Sequence, residues 1–84
     1  MLSTTIGVTL RDVAKNDTDY ASNVAKNVKR LREKSRLTRK ELSEAVGGSH
    51  SYIFHVEEAQ KMPSLLMGLR IARLLKVSPE SLLE

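Results

Sequence analysis

A chain of 84 residues with 40% hydrophobic side chains, a single Phe and no Trp is sized for one small aliphatic core, and a large catalytic pocket has no room in it. The absence of Cys excludes a disulfide framework, thiolate metal sites and thiol nucleophiles, and it fits a reducing cytoplasm. The formal net charge of +4 excludes little by itself, since many basic proteins never meet nucleic acid.

Residues 1–18 are polar, with a brief alternation of Ile6, Val8 and Leu10 and room for a short helical turn over residues 10–15. They read as an N-terminal extension to a domain spanning 19–84. The opening MLSTTIGVTL lacks the basic and apolar regions of a secretory signal, and no apolar run approaches the roughly 20 residues of a membrane span. A soluble cytoplasmic protein is expected. The run Asn16-Asp17-Thr18-Asp19 reads as a turn and N-cap. A first helix is therefore predicted from near Asp19 to about Ser35, with Ala21, Val24, Val28 and Leu31 on its buried face. Eight basic residues fall between Lys26 and Lys40, opposed only by Glu33. Such a cluster is read equally well as a solvated helix face or as a phosphate-binding one.

Thr38-Arg39-Lys40-Glu41 is a capping box, in which each side chain accepts from the other residue's backbone N–H. It starts a second helix whose expected buried face is Leu42, Ala45 and Val46. Gly47-Gly48 stops that helix, because Gly enters the left-handed conformation without a Cβ clash. Ser49 is the expected cap of a third helix running to about Glu58, with Ile53 and Val56 inward and His50, Ser51, Phe54 and His55 more accessible. A loop over 59–63 leads to Ser64 as the next cap and a fourth helix carrying Leu65, Leu66, Leu69, Ile71, Ala72 and Leu75. Ser78 and Pro79 then open a short fifth helix bearing Leu82 and Leu83. The fold class is all-α: a compact bundle of about five short helices.

Two helices of about eight residues joined by a tight Gly-containing turn match the helix-turn-helix pattern, whose second helix enters a major groove about 12 Å wide. A helical hairpin alone is a weak signal. The spaced run Leu37-Thr38-Arg39-Lys40-Glu41-Leu42-Ser43-Glu44-Ala45-Val46-Gly47, then Ile53, Val56-Glu57, Pro63-Ser64, Leu69, Ile71-Ala72 and Leu82-Leu83, is much more specific. It resembles the phage-repressor and Cro type of helix-turn-helix, the XRE family, from Val24 to Glu84. The resemblance implies a lambda-repressor-like fold and double-stranded DNA as partner. It implies no cofactor, no metal and no small-molecule ligand.

Four positions depart from the family pattern. Arg39 stands where Gln commonly grips a phosphate and braces the reading helix, so that the brace between two Gln side chains is lost. Ser43 replaces a small Ala, Gly48 replaces an apolar residue and is expected to loosen the turn, and Ala59 replaces the Gly that leads into the next loop. By the same resemblance, Ser49, His50, Ser51 and His55 fall at base-contacting positions, and Thr38, Arg39, Lys40, Tyr52 and Lys61 at phosphate-contacting ones. For Lys40 and Lys61 simple solvation is an equal reading. For Tyr52 packing beside the fourth helix is an equal one. His50 and His55, five residues apart, are about 140° apart around a helix and cannot share a metal ion. Arg32 and Glu57 correspond to a structural ion pair tying the first helix to the end of the third. Leu82 and Leu83 correspond to a surface for pairing as a homodimer on DNA, with burial against the first helix as the alternative.

Phe54 is the least expected residue, since an accessible aromatic on a reading helix needs a thymine methyl, another subunit or cover from the residues before Asp19, the last being favoured. The function expected is a sequence-specific transcriptional regulator: a repressor binding an inverted repeat as a dimer. The alternative is a protein-interaction module of antitoxin or adaptor type using the same fold. An enzyme is not expected, because the chain lacks paired carboxylates at a workable separation, a nucleophile with its base and a phosphate-cradling Gly loop.

Overall fold

The computed structural model describes residues 10–84, with side chains from Tyr20 onward. It contains four α-helices, α1 (Leu10–Lys34), α2 (Arg39–Ala45), α3 (Tyr52–Glu57) and α4 (Leu65–Leu75), and a 3₁₀ turn over Pro79–Leu82. No strand occurs among the described residues, which are all-α. The expected fifth α-helix is instead this 3₁₀ turn, closed by bonds from Ser81 N–H to Ser78 O and from Leu83 N–H to Glu80 O. The alternation at Ile6 and Val8 lies outside the described residues.

The first helix begins at Leu10 rather than near Asp19. Nothing in residues 10–34 is a Gly or Pro, and once a helix is nucleated each further residue adds a hydrogen bond. The polar run at 16–19 is therefore carried inside the helix. Val24, Ala25, Val28 and Leu31 form the buried stripe of α1, and the left-handed backbone of Arg36 (φ 60°) ends the helix by turning the Leu37 N–H back onto Arg32 O. Thr38 then caps α2 reciprocally: its Oγ1 accepts from Glu41 N–H at 3.0 Å, and Glu41 Oε1 accepts from Thr38 N–H at 2.8 Å.

Helix α2 buries Leu42, Ser43 and Val46, not Ala45, which stays exposed. Gly47 takes the left-handed conformation (φ 82°) that stops the helix. At Gly48 the structure corrects the expectation of a loosened turn. A Cβ there would lie 2.9 Å from Tyr52 Cβ and Cγ, so the missing methyl makes way for a Tyr52 ring that itself enters the core. The core contact forfeited by Gly48 is supplied by its neighbour.

On α4, Ile71, Ala72 and Leu75 are buried, whereas Leu65 and Leu66 at its start are exposed. Arg70 Nη1 donates to Val46 O at 3.2 Å, closing the free end of α2 from α4. Two side chains of α1 hold the C-terminal turn: Asn27 Nδ2 donates to Leu82 O at 2.9 Å and Asn23 Nδ2 to Leu83 O at 3.0 Å.

Ala59, where the family pattern has Gly, adopts the left-handed conformation all the same (φ 59°). The loop keeps the path a Gly would give it, at the steric cost of a Cβ beside the following carbonyl. Ala59→Gly is expected to stabilise the protein by about 1 kcal/mol, a rise in melting temperature of about 4–8 °C for a domain of this size. Thermal unfolding followed by circular dichroism checks it; an unchanged or lower midpoint would show that this position carries no strain.

Candidate nucleic-acid interface

The junction of α1, α2 and α3 is built on one carboxylate. Glu57, in the last turn of α3, has a side chain only 1% exposed. Arg32 of α1 forks onto it, with Nε 2.6 Å from Oε2 and Nη2 3.2 Å from Oε1, and spends Nη1 on Leu37 O at 2.8 Å. Arg39, the first residue of α2, adds Nε at 3.2 Å from the same Oε1. One buried acid thus ties α1 and the start of α2 to the end of α3, and Arg32 brings in the linker at Leu37. The hydrogen bonds to Glu57 raise the Arg32 guanidinium above its ordinary range, against the burial that would lower it, and the charges of Glu57 and Glu33 add to the rise.

Arg32 also stands 3.9 Å from the exposed Glu33 carboxylate, so the cluster pairs two guanidiniums with two acids. Arg39 is its outer cation, with a side chain 41% exposed, and its guanidinium carbon lies 5.3 Å from the Phe54 ring centroid. The brace from α2 to α3 that the loss of a Gln pair removes is remade here as a charged bond to Glu57 and a cation–π contact to Phe54.

A second tie fixes the turn. Gly48 N–H donates to Ser43 O at 2.8 Å, and the buried Ser43 hydroxyl accepts from Ile53 N–H at 3.0 Å. Ile53 is the second residue of α3, whose N–H is normally met by the side chain of the helix's own N-cap. That N-cap, Ser51, makes no such bond. Ser43 caps α3 from α2, and the Ser51 hydroxyl is left free at the surface.

Helix α3 is shorter than expected. It starts at Tyr52, so Ser49, His50 and Ser51 lie in the turn before it, and Ser49 contributes its carbonyl to Tyr52 N–H at 3.0 Å rather than a side-chain cap. All three are exposed, and His55 follows one turn into the helix, half-buried. The model of the family described as helix-turn-helix matches residues 28–82. The chain belongs to the Cro/C1-type helix-turn-helix family. The family is one of DNA-binding regulators of transcription, and the matched residues take in α2, the turn after it and α3. Among solved structures, the restriction-modification controller protein C.AhdI from Aeromonas hydrophila is similar, with a TM-score of 0.69 and 27% identity over 74% of this chain and 94% of that one. No curated protein sequence matches closely enough to count as a relative.

The other helix-turn-helix positions fall as follows. Thr38, Lys40 and Lys61 are exposed, Thr38 with its hydroxyl engaged in the capping box. Tyr52 is buried with its ring in the core, so of its two readings the packing one describes the ring. Burial raises its phenol pKa, and Lys61 Nζ stands 5.7 Å from the ring centroid. Leu82 is buried and cannot serve as a pairing contact, while Leu83 beside it is exposed. Phe54 is 37% exposed; its expected cover, the residues before Asp19, includes residues 1–9, which lie outside those described. Sequence reasoning missed Ser43, treated as a minor replacement, and the second partner of Glu57. The available signal for Ser43 was a hydroxyl on the buried face of a helix, where an unpaired polar group would be costly.

Two outcomes test this scaffold. Glu57→Gln leaves Arg32 buried without its counter-charge and is expected to cost about 3–5 kcal/mol, most of the stability of so small a domain. A thermal melt reads it, and a midpoint within a few degrees of wild type would contradict the assignment. Ser43→Ala leaves the Ile53 N–H unpaired in the core, at about 1–3 kcal/mol, whereas Ser51→Ala is expected to leave stability unchanged although Ser51 is the formal N-cap. Equal losses from the two serines in urea unfolding would refute capping from α2.

Proposed function

We propose that this protein is a transcriptional repressor that binds an inverted-repeat operator as a homodimer in the cytoplasm, with α3 and the turn before it in the major groove. The carrying observation is that Ser49, His50, Ser51 and His55 present polar groups at the start and outer side of a helix whose fixing is done by Glu57 and Ser43. Side chains relieved of structural duty at a reading helix are the ones that can meet base edges. Arg39, with its partly exposed guanidinium, Lys40, Lys61 and the Thr38 end of α2 supply phosphate contacts. The similarity to a restriction-modification controller supports a regulatory role. The chain acts by binding, with no catalysis, cofactor or metal.

Pairing would use the exposed apolar surface at the start of α4 and the end of the chain. Leu65 is 82% exposed, with Leu66, Met62 and Leu83 also exposed, and a groove between Met62, Leu65, Leu69 and Leu83 runs beside them. Large exposed apolar side chains in one neighbourhood mark interaction surfaces. The same patch is what favours the adaptor reading, in which a different protein sits there.

Selection of binding sites from random DNA is expected to enrich a palindrome with half-site centres about 10 base pairs apart, because paired reading helices lie about 34 Å apart. His50→Ala or His55→Ala should cost about 1–3 kcal/mol on that site and little on random DNA, while Arg39→Ala weakens both. Log affinity should fall with log salt at about −0.9 per phosphate neutralised. No enriched sequence and a flat salt response would replace this reading with the adaptor one.

A further inference from the structure

His55 is held from both sides. At the end of α3 the left-handed Ala59 folds the chain back, so that Gln60 N–H donates to His55 O at 2.9 Å and Gln60 Oε1 comes to 2.7 Å from His55 Nδ1. On its other side the Phe54 ring meets the imidazole edge-to-face, with centroids 5.3 Å apart and planes at 75°. The ring can neither turn over nor swing without breaking one of these contacts.

The chemistry of the pair fixes more than orientation. A carboxamide oxygen only accepts, so the atom facing it must be an N–H. A neutral imidazole carries one ring proton, and placing it on Nδ1 leaves Nε2 a bare acceptor with no partner among the described residues. In the major groove the hydrogen-bond donors are the N6 amino group of adenine and the N4 amino group of cytosine, whereas guanine O6 and N7 and thymine O4 are acceptors. An imidazole locked in this form can bond the first two and is repelled by the others.

We propose that Gln60 is a specificity-determining residue: by holding the proton of His55 on Nδ1, it makes the reading helix select an exocyclic amino group, that of adenine or cytosine, at the base His55 meets. Gln60 touches no base in this scheme and acts as a positioning residue. The inference rests on the assignment of α3 as a DNA-reading helix, and it adds a rule for one position of the site.

The test reads the tautomer and the base separately. Long-range proton–nitrogen NMR of the free, full chain, at a pH where the imidazole is neutral, is expected to show His55 protonated at Nδ1. Gln60→Ala should shift the population toward the Nε2–H form, and Gln60→Glu, whose carboxylate likewise only accepts, should keep Nδ1–H. In parallel, sites are selected from random DNA with wild type, His55→Ala, Gln60→Ala and Gln60→Glu. The position whose preference disappears in His55→Ala is expected to be adenine or cytosine for wild type and Gln60→Glu, and to admit guanine or thymine for Gln60→Ala with the remaining positions unchanged. Removing the amino group from that one base should weaken wild-type binding about threefold to tenfold, the worth of one hydrogen bond, and leave Gln60→Ala little affected. An Nε2–H tautomer in the wild type overturns the proposal and leaves DNA reading intact. So does an Nδ1–H tautomer accompanied by guanine or thymine at that position. Failure of every variant to enrich any sequence overturns the DNA reading itself, and the base rule with it.

Discussion

The junction of the first three helices of this protein hangs from the Glu57 carboxylate. Burying an ionised carboxylate is among the most unfavourable acts in folding unless cations and hydrogen bonds meet it on all sides, and here the partners come from two other helices. The consequence is geometric as much as energetic. A bidentate guanidinium is planar and directional, so Arg32 sets the angle between α1 and α3 in a way that aliphatic packing alone, which tolerates sliding, would not. Arg39 then inherits a fixed place at the start of α2, with its guanidinium partly exposed.

Division of labour follows from that arrangement. Hydrophobic contacts between Val28, Leu42, Ile53, Val56 and Ile71 hold the bundle closed, while a small set of polar ties, Ser43 to Ile53, Arg70 to Val46 and the two Asn side chains to the C-terminal carbonyls, sets where each helix begins and ends. These ties close helix termini that a short helix cannot close by itself. With α2 and α3 only seven and six residues long, little of either helix is stable without its neighbours, so the position of α3 and its existence are one and the same problem.

Much of this was legible in the residue order. The Thr38 capping box, the left-handed Gly47, the Ser64 cap and the apolar spacing of α4 are local signals, each acting within a few residues, and they place α2 and α4 closely. The start of α1 was misplaced because Asn and Asp are good caps in one context and tolerated helix residues in another, and only the absence of a breaker decides between them. The start of α3 was misplaced because its cap comes from Ser43, ten residues away across a turn, which no window of neighbouring residues can show. Gly48 was misjudged for a related reason: its role is defined by the Tyr52 ring that fills the space above it, four residues further along the chain. Among the residues matched to DNA or pairing contacts, all are exposed or half-buried except Tyr52 and Leu82, which sit where the chain turns its apolar side inward, while the matched ion pair of Arg32 and Glu57 is buried.

The capping of α3 by a serine on a different helix has an evolutionary corollary. In most proteins the residue that begins a helix is constrained by the helix itself, so a change there is filtered first by folding. Here the first-turn hydrogen bond is outsourced, and position 51 is relieved of that filter. Position 51 can therefore drift among side chains of different size and polarity while α3 keeps its first-turn bond to Ser43 and the fold remains intact.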